Sequence, residues 1–449
     1  MTRSPTDVVA VRLPLDPGPP IDPFALAGRN GIVFHTGEQA LVGIGTALTI
    51  ALPEGLDSPS DLDWASDILA SIPCEDRFDP TGTGVIGFGA LPFERSDPAA
   101  LVVPDVTYGA DASGNEWVTL VSADPCALPA RSTGLRSWLL EQAPVGPRRP
   151  GTSPSARSIA PLSSDQSFEA MVAEALRAID RGELAKVVLA RHVDVTMGES
   201  IELAGLLRRW HQLEPNCAVF AMPTPAGQFV GASPELLVER SGRRVHSRPL
   251  AGTTDRFNGS TDSILPSELL RSAKDGNEHR LVVEAIVAAL RPFCADLDVP
   301  SRPDLVHLHN ITHLGTSLTG TLAPRTDGSV PTALHLVAAL HPTPAVGGVP
   351  AADARRLIAR LEPQSRGNYA GPVGYVDAQG NGRWMLGIRA MTINDEVARL
   401  TAGVGIVRGS EPSIELVETN LKFTAVFDAL APGLPFSTSD VVGRHEAVG

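Results

Sequence analysis

Residues 168 to 195 set a period of 3.6 directly before a period of 2, and that juxtaposition commits the chain to a mixed α and β fold. Phe168, Met171, Val172, Ala175, Leu176 and Ile179 recur at i, i+3, i+4, i+7, i+8 and i+11, the apolar face of a helix that Gly182 closes. AKVVLARHVDV (185 to 195) then alternates as a strand, with Lys186, Val188, Ala190 and His192 on one face and Val187, Leu189, Arg191 and Val193 on the other. A lysine at the start of a strand is ordinarily a solvated end. Lys186, however, shares its face with small and apolar side chains, so it becomes a site candidate if other residues converge on it.

The remainder of the 449 residues, 43% of them hydrophobic, supplies enough apolar surface for a substantial core. Residues 143 to 164, APVGPRRPGTSPSARSIAPLSS, carry no apolar period and read as a linker. They divide a β-rich region, 1 to 142, from a region of sharper helix and strand signals, 165 to 431, followed by a loosely ordered tail, 432 to 449. Cys74, Cys126, Cys217 and Cys294 form no CxxC pair, which argues against a disulfide framework or a cysteine-based zinc site. A formal net charge of −14 repels nucleic-acid phosphates and anionic lipid. No run of ~18 apolar residues occurs and the N-terminus lacks a basic start with an apolar run, so the expectation is a soluble cytoplasmic protein without nucleic-acid or membrane partners. A small anionic substrate would then need a local cationic pocket or a metal.

A second helix is expected over roughly 267 to 290, with Leu281, Val282, Ala285, Ile286 and Ala289 on its apolar face. Glu278 lies at the edge of that face, open to pairing with Lys274 or to metal ligation. Near the C-terminus, IELVETNLK puts Glu415, Glu418 and Lys422 on one stripe beside an apolar stripe of Ile414, Val417 and Leu421. Water on a surface helix and a bound cation both satisfy such an acidic stripe. GASPELLV (231 to 238), SRPLAGTTD (247 to 255), LHPTPAVGGVP (340 to 350) and RGNYAGPVGYVD (366 to 377) pair permissive backbone with isolated polar groups, as loops that approach a ligand do. Taken singly, Glu235 reads as a loop carboxylate and Arg389 as a strand arginine. His307, His309 and His313 lack an acidic or cysteine partner at ligand spacing, which argues against zinc.

Together, in order, AKVVLAR, SPELL, PLAGT, a KD..EH helix, THLG, HPTPAVGG, YAGPVG, LGIRA, AGVGIV and the closing E..ET..K helix resemble the chorismate-utilising enzymes, the anthranilate synthase component I-like family, and within it the isochorismate synthases. The resemblance spans roughly 165 to 430, with a fainter match at GVIGFGALPFERSDP. It implies an α/β (α+β) fold of large, mostly antiparallel sheets flanked by helices, with 165 to 431 as the chorismate-binding catalytic domain and the N-terminal region packing into the same unit. It also implies a Mg²⁺ ion held by Glu278 and Glu418, with Glu415 reaching it through water. Lys186 would deprotonate the water that adds at C2 of chorismate, and Glu235 would protonate the departing C4 hydroxyl.

By the same match Tyr369 and Arg389 would bind the enolpyruvyl carboxylate, helped by backbone N–H groups near Gly403 and Gly405. Gly252 and Thr253 would border the C4 hydroxyl, His313 would line the ring, and Lys422 would sit by the metal-bound carboxylate. Relatives that make aminodeoxychorismate often carry lysine where Ala251 stands, and relatives that install ammonia usually carry glutamine where Lys186 stands; both positions here favour water. Salicylate synthases usually place threonine at the position of Ala345, so alanine favours stopping at isochorismate. A salicylate synthase and a non-catalytic chorismate-binding protein are the alternatives. The resemblance further implies a monomer without a glutaminase subunit, serving menaquinone or siderophore synthesis. Asn368, Gly347 and Val404 depart from the usual family residues.

Overall fold

The computed structural model describes residues 8–76, 84–128, 133–142, 155–255 and 266–436. Among these residues the strands form three sheets. The largest starts at the edge strand Ala156–Pro161 and continues through Lys186–Met197, Val397–Val407, Ala390–Asn394, Gly227–Ser233 and Ala218–Thr224. It then crosses into N-terminal strands, from Ile32–His35 to Val9–Pro14 and Cys74–Asp76. Every pairing along it is antiparallel except that of Val9–Pro14 with Cys74–Asp76. A second sheet likewise joins Ile86–Ala90 to Pro372–Asp377, and a small third one pairs Leu250–Asp255, Ile311–Gly315 and Asp304–His307. One apolar cluster unites Leu69 and Leu101 with Val187, Ile286 and Ile406, so the N-terminal third and the remainder share a core. No helix among the described residues is long and apolar enough to cross a membrane.

The helix ahead of the lysine strand runs Asp165–Asp180, capped by Ser164, whose hydroxyl accepts from Ser167 N at 3.1 Å; Gly182 at φ 75° turns the chain out of it. Two expectations need correction. The helix over 267–290 is broken: Pro266–Leu269 is a single turn, and Ser272 caps a fresh helix, Ala273–Leu290, by accepting from Asp275 N at 3.2 Å. A serine three residues before an acid is an N-terminal signal that competes with helix continuation. The linker expected over 143–164 is in part a strand: Ala156–Pro161 pairs with Val193–Met197, because the lysine strand offers an open edge there. Residues 143–154 and 437–449 lie outside the described residues. Within the expected tail Phe436 packs its ring against Phe423 and Phe427.

The start of the lysine strand is closed by two residues from the HPTPAVGG segment, since Gly348–Val349 pairs with Val187 and Lys186. A methyl group on Gly348 would lie 2.2 Å from the carbonyl oxygen of Lys186 and 2.6 Å from Ala354 Cβ. Backbone on one side and a helix on the other leave no room to yield. Gly348→Ala is therefore expected to cost ~1–3 kcal/mol, as overpacked cores do, and to lower the melting temperature measured by calorimetry; an unchanged transition would show that this edge is not closed as described.

Candidate active site

The lysine strand carries Lys186 into the interior, where it is 0% exposed. Its ammonium lies 2.9 Å from Glu278 Oε1, as a contact ion pair rather than an aligned hydrogen bond. Glu278 comes from the helix Ala273–Leu290, and the two meet over Gly405 of the strand Val397–Val407. A Cβ at 405 would stand 2.2 Å from Glu278 Oε1 and 3.0 Å from Lys186 Cε, so only glycine lets the pair close. Val404, between the two glycines, is 2% exposed and sits opposite Leu189. The larger residue therefore fills core and leaves Gly403 and Gly405 on the cavity wall.

The closing helix, Pro412–Leu430, inverts the usual amphipathic rule. Ile414 and Val417 are 53% and 56% exposed, whereas Glu415 is fully buried and Glu418 borders the cavity. What draws the acids inward is a set of amines. Lys274 donates to Glu415 Oε1 at 2.8 Å, and Lys422 contacts Glu418 Oε1 at 2.6 Å while donating to the Gly403 carbonyl at 2.9 Å. Burial, reinforced by the charge on Glu418, pushes the Glu415 carboxyl up in spite of Lys274. Burial also opposes ionisation of Glu418, but Lys422 and Lys274 outweigh it and hold that carboxyl below its ordinary range. Of the readings open for Glu278, pairing with Lys274 is not the one adopted, because Lys274 reaches across to Glu415 instead.

Can these groups hold a divalent cation? Among the described residues no three acidic, histidine or cysteine groups converge as a complete ligand set. Mg²⁺ does not require one, since it commonly keeps several waters and takes one or two protein carboxylates together with substrate oxygens. Glu278 and Glu418, hard oxygen donors from two helices, line the same cavity with Glu415 behind them. That donor set fits Mg²⁺.

The rest of the cavity is built from loops held by specific contacts. Glu235, in the turn between Gly227–Ser233 and Leu236–Ser241, is 4% exposed. Burial pushes its carboxyl up to about 8, against the opposing pull of the Leu250 amide, Lys186 and Lys422. It is therefore mostly protonated at neutral pH. His313 goes the other way: burial, with Arg389 and Lys422 nearby, pulls its imidazole down to about 3. Its Nδ1 lies 3.0 Å from the Gly252 carbonyl, which only accepts, and its Nε2 lies 3.1 Å from Arg389 Nη2, which only donates. The ring is thus neutral with its hydrogen on Nδ1. Arg389 turns its other nitrogen, Nη1, into a buried position without a partner, as an anion receptor does. Burial pushes the Tyr369 phenol up to about 12, and the Gly403 amide hydrogen-bonds to its oxygen.

Ala345 and Val346 reach the cavity because the HPTPAVGG segment is pinned on both sides. His341 Nε2 bonds the Phe93 carbonyl at 2.8 Å, Arg95 donates to the carbonyls of Ala338 and His341, and Val188 N donates to Gly347 O at 2.7 Å. The N-terminal stretch LPFER, through Phe93 and Arg95, thereby shapes the catalytic region.

Glu235, Gly252, Thr253, Glu278, His313, Ala345, Tyr369, Arg389, Gly403, Gly405, Glu418 and Lys422 line one cavity, and Lys186 and Glu415 sit just behind its wall against Glu278 and Lys274. Ala251, singled out above as the position that separates nucleophiles, also lines the cavity, and Val188, Leu250, Val346, Ala370, Ile388, Thr401 and Ala402 complete the lining without having been sequence candidates. Val188 had a signal, since it shares the face of Lys186. Ala370 and Arg389 adopt φ of 63° and 53°, a left-handed conformation that costs a non-glycine residue ~1–3 kcal/mol and gathers at functional sites. Neither residue type announces it in a sequence. His307 bonds Thr312 at 3.0 Å rather than joining a histidine cluster.

A family model described as "Chorismate binding enzyme" matches residues 32–431. The chain is 42% identical over 280 residues to the isochorismate synthase DhbC of Bacillus subtilis, covering 61% of this chain and 69% of that one. It is 34% identical over 345 residues to the isochorismate synthase EntC of Escherichia coli, covering 76% and 80%. The structure of MenF, the menaquinone-specific isochorismate synthase from Escherichia coli, superposes with a TM-score of 0.76 at 25% identity, covering 94% of each chain.

The protonation of Glu235 has a consequence for stability. Its carboxyl is raised from 4.5 to about 8, so folding takes up a proton between those values. The associated stability is complete below the lower value and is lost as pH rises through the upper one. Glu235→Gln, neutral throughout, is expected to gain melting temperature relative to the parent between about pH 5 and pH 9, read by scanning fluorimetry. A constant difference across that range would contradict a buried protonated carboxyl.

Proposed function

The chain belongs to the chorismate-binding enzyme family, and we propose that within it the chain is a Mg²⁺-dependent isochorismate synthase, adding water at C2 of chorismate while the C4 hydroxyl leaves from the opposite face. The observation that carries this reading is a single cavity that gathers a carboxyl kept protonated, Glu235, with a wholly buried amine, Lys186, just behind its wall. A hydroxyl exchange on a ring needs both partners, an acid for the departing oxygen and a base for the arriving water.

The roles divide as follows. Arg389, with one nitrogen unpartnered, and Tyr369 receive the enolpyruvyl carboxylate. Neutral His313, oriented by the Gly252 carbonyl, supports Arg389 and lines the ring. Lys186, paired as an ammonium with Glu278 here, must first release that proton to solvent before it takes one from the attacking water, and Glu235 hands its proton to the C4 oxygen, which departs as water; each transfer is typically worth ~10²- to 10⁴-fold in rate. Glu278 and Glu418 would hold Mg²⁺ with Glu415 behind them, and Lys422 would stand by the ring carboxylate. When bound, the ion supplies the positive charge that lets a protein of net −14 retain a dianion.

Ala251 on the cavity wall offers no nucleophile to the ring, which leaves water to attack. Ala345 on the same wall supports release of isochorismate without pyruvate elimination. The reading extends to a monomer in the cytoplasm that needs no glutaminase subunit and serves either menaquinone or catechol siderophore synthesis.

Incubation of the purified protein with chorismate and Mg²⁺ tests the proposal. Isochorismate is expected, without the fluorescence of salicylate or the release of pyruvate; either of those would transfer the chain to the salicylate synthases, and no product at all would leave only binding. Lys186→Ala should lower turnover by ~10²-fold or more while chorismate binding stays measurable by calorimetry. Turnover in the parent should also fall as pH rises past about 8, where Glu235 gives up its proton; a rate still climbing there would remove Glu235 as the acid.

A further inference from the structure

The lysine strand has a gap in one of its two ladders. On that edge Gly348–Val349 pairs with residues 186 and 187, and Ala156–Pro161 pairs only from Val193 onward. Val188 N still donates to Gly347 O and His192 O accepts from Leu162 N, but between them the Val188 carbonyl and the Ala190 amide meet no strand on that side. Two side chains fill the interval instead. Arg366 donates from Nη2 to the Val188 carbonyl at 2.8 Å, and Ala190 N donates to Glu362 Oε1 at 2.8 Å. The two side chains pair with each other, Nε to Oε2 at 2.8 Å, and are 2% and 3% exposed.

Arg366 ties in two further pieces of the cavity wall. Its main-chain carbonyl accepts from Tyr369 N at 3.0 Å, and its guanidinium Nη1 donates to the Val346 carbonyl at 2.7 Å. The Phe93 ring covers it at 4.2 Å. Neither Glu362 nor Arg366 lines the cavity, yet Val188, Val346 and Tyr369 all do. A buried ion pair is a poor device for stability alone, since well-packed apolar residues commonly replace one at little cost. It is a good device for fixing register, because each donor and acceptor has one place to go.

We propose that Glu362 and Arg366 are positioning residues of the active site. They stand in for the missing strand and hold the strand of Lys186, the loop of Ala345 and Val346 and the turn of Tyr369 in mutual register. The proposal rests on the isochorismate synthase reading for its turnover readout, but not for its binding readout. The full chain is compared with Arg366→Lys, Glu362→Gln, Arg366→Met alone and the apolar pair Arg366→Met with Glu362→Met. Melting temperature, kcat, KM and chorismate affinity by calorimetry are measured for each, per folded protein.

The apolar pair is expected to melt closer to the parent than Arg366→Met alone while kcat stays at least tenfold down, and the conservative single variants should fold yet lose kcat and bind chorismate several-fold more weakly. Recovery of kcat along with melting temperature in the apolar pair would overturn the proposal, as would parental kcat and affinity in both conservative variants. Should the apolar pair fail to fold, the conservative variants decide. A parent that binds chorismate without turning it over would defeat the functional reading, and the affinities of the same variants would still test the positioning role.

Discussion

An ammonium group taken out of water is tolerable only against a carboxylate, and the contact between Lys186 and Glu278 is the constraint around which the active region is organised. It joins the start of a central strand to the middle of the helix Ala273–Leu290. Closing that contact requires bare backbone beneath it, which Gly405 provides, and a covered strand edge beside it, which Gly348 and Val349 provide. Because the pair is buried, removing either partner strands a charge, a cost of ~3–5 kcal/mol in typical proteins. The fold thus invests stability in one place where chemistry needs an amine.

The same logic explains a helix that presents its apolar side outward. Glu415, Glu418 and Lys422 face inward because Lys274, Lys422 and the cavity give them partners that solvent-facing Ile414 and Val417 do not need. Arg191 secures that orientation from behind: its guanidinium lies between the rings of Phe168 and Phe423 and donates to Thr419 Oγ1 at 2.9 Å, one residue beyond Glu418. Opposing environments within one cavity then separate the titrating groups. Glu235 is held as an acid at neutral pH, His313 as a neutral ring and Glu418 as an anion, each by a different balance of burial and neighbouring charge.

Much of this was legible in sequence where local period or ordered motifs carried it. The helix ahead of Lys186, the strand itself, and the resemblance that gathered Glu235, Glu278, His313, Tyr369, Arg389 and Glu418 came from such signals. Nonlocal choices were not legible. Periodicity put Ile414 and Val417 beside an acidic stripe, but which stripe turns inward depends on amines over a hundred residues distant in the chain, such as Lys274. The break at Ser272 was missed because the apolar period, Leu281 to Ala289, lies wholly beyond it and does not mark where the helix begins. The gap that Glu362 and Arg366 fill exists only once the neighbouring strands are placed, so the pair reads in sequence as an ordinary i, i+4 salt bridge.

The most direct check on the account is the protonation state of Glu235 itself. Infrared difference spectroscopy between the parent and Glu235→Gln isolates the stretch of that single carboxyl. The account predicts a protonated-acid band at neutral pH that disappears with a midpoint near 8. A spectrum showing Glu235 already ionised at neutral pH would contradict the division of acid and base within this cavity.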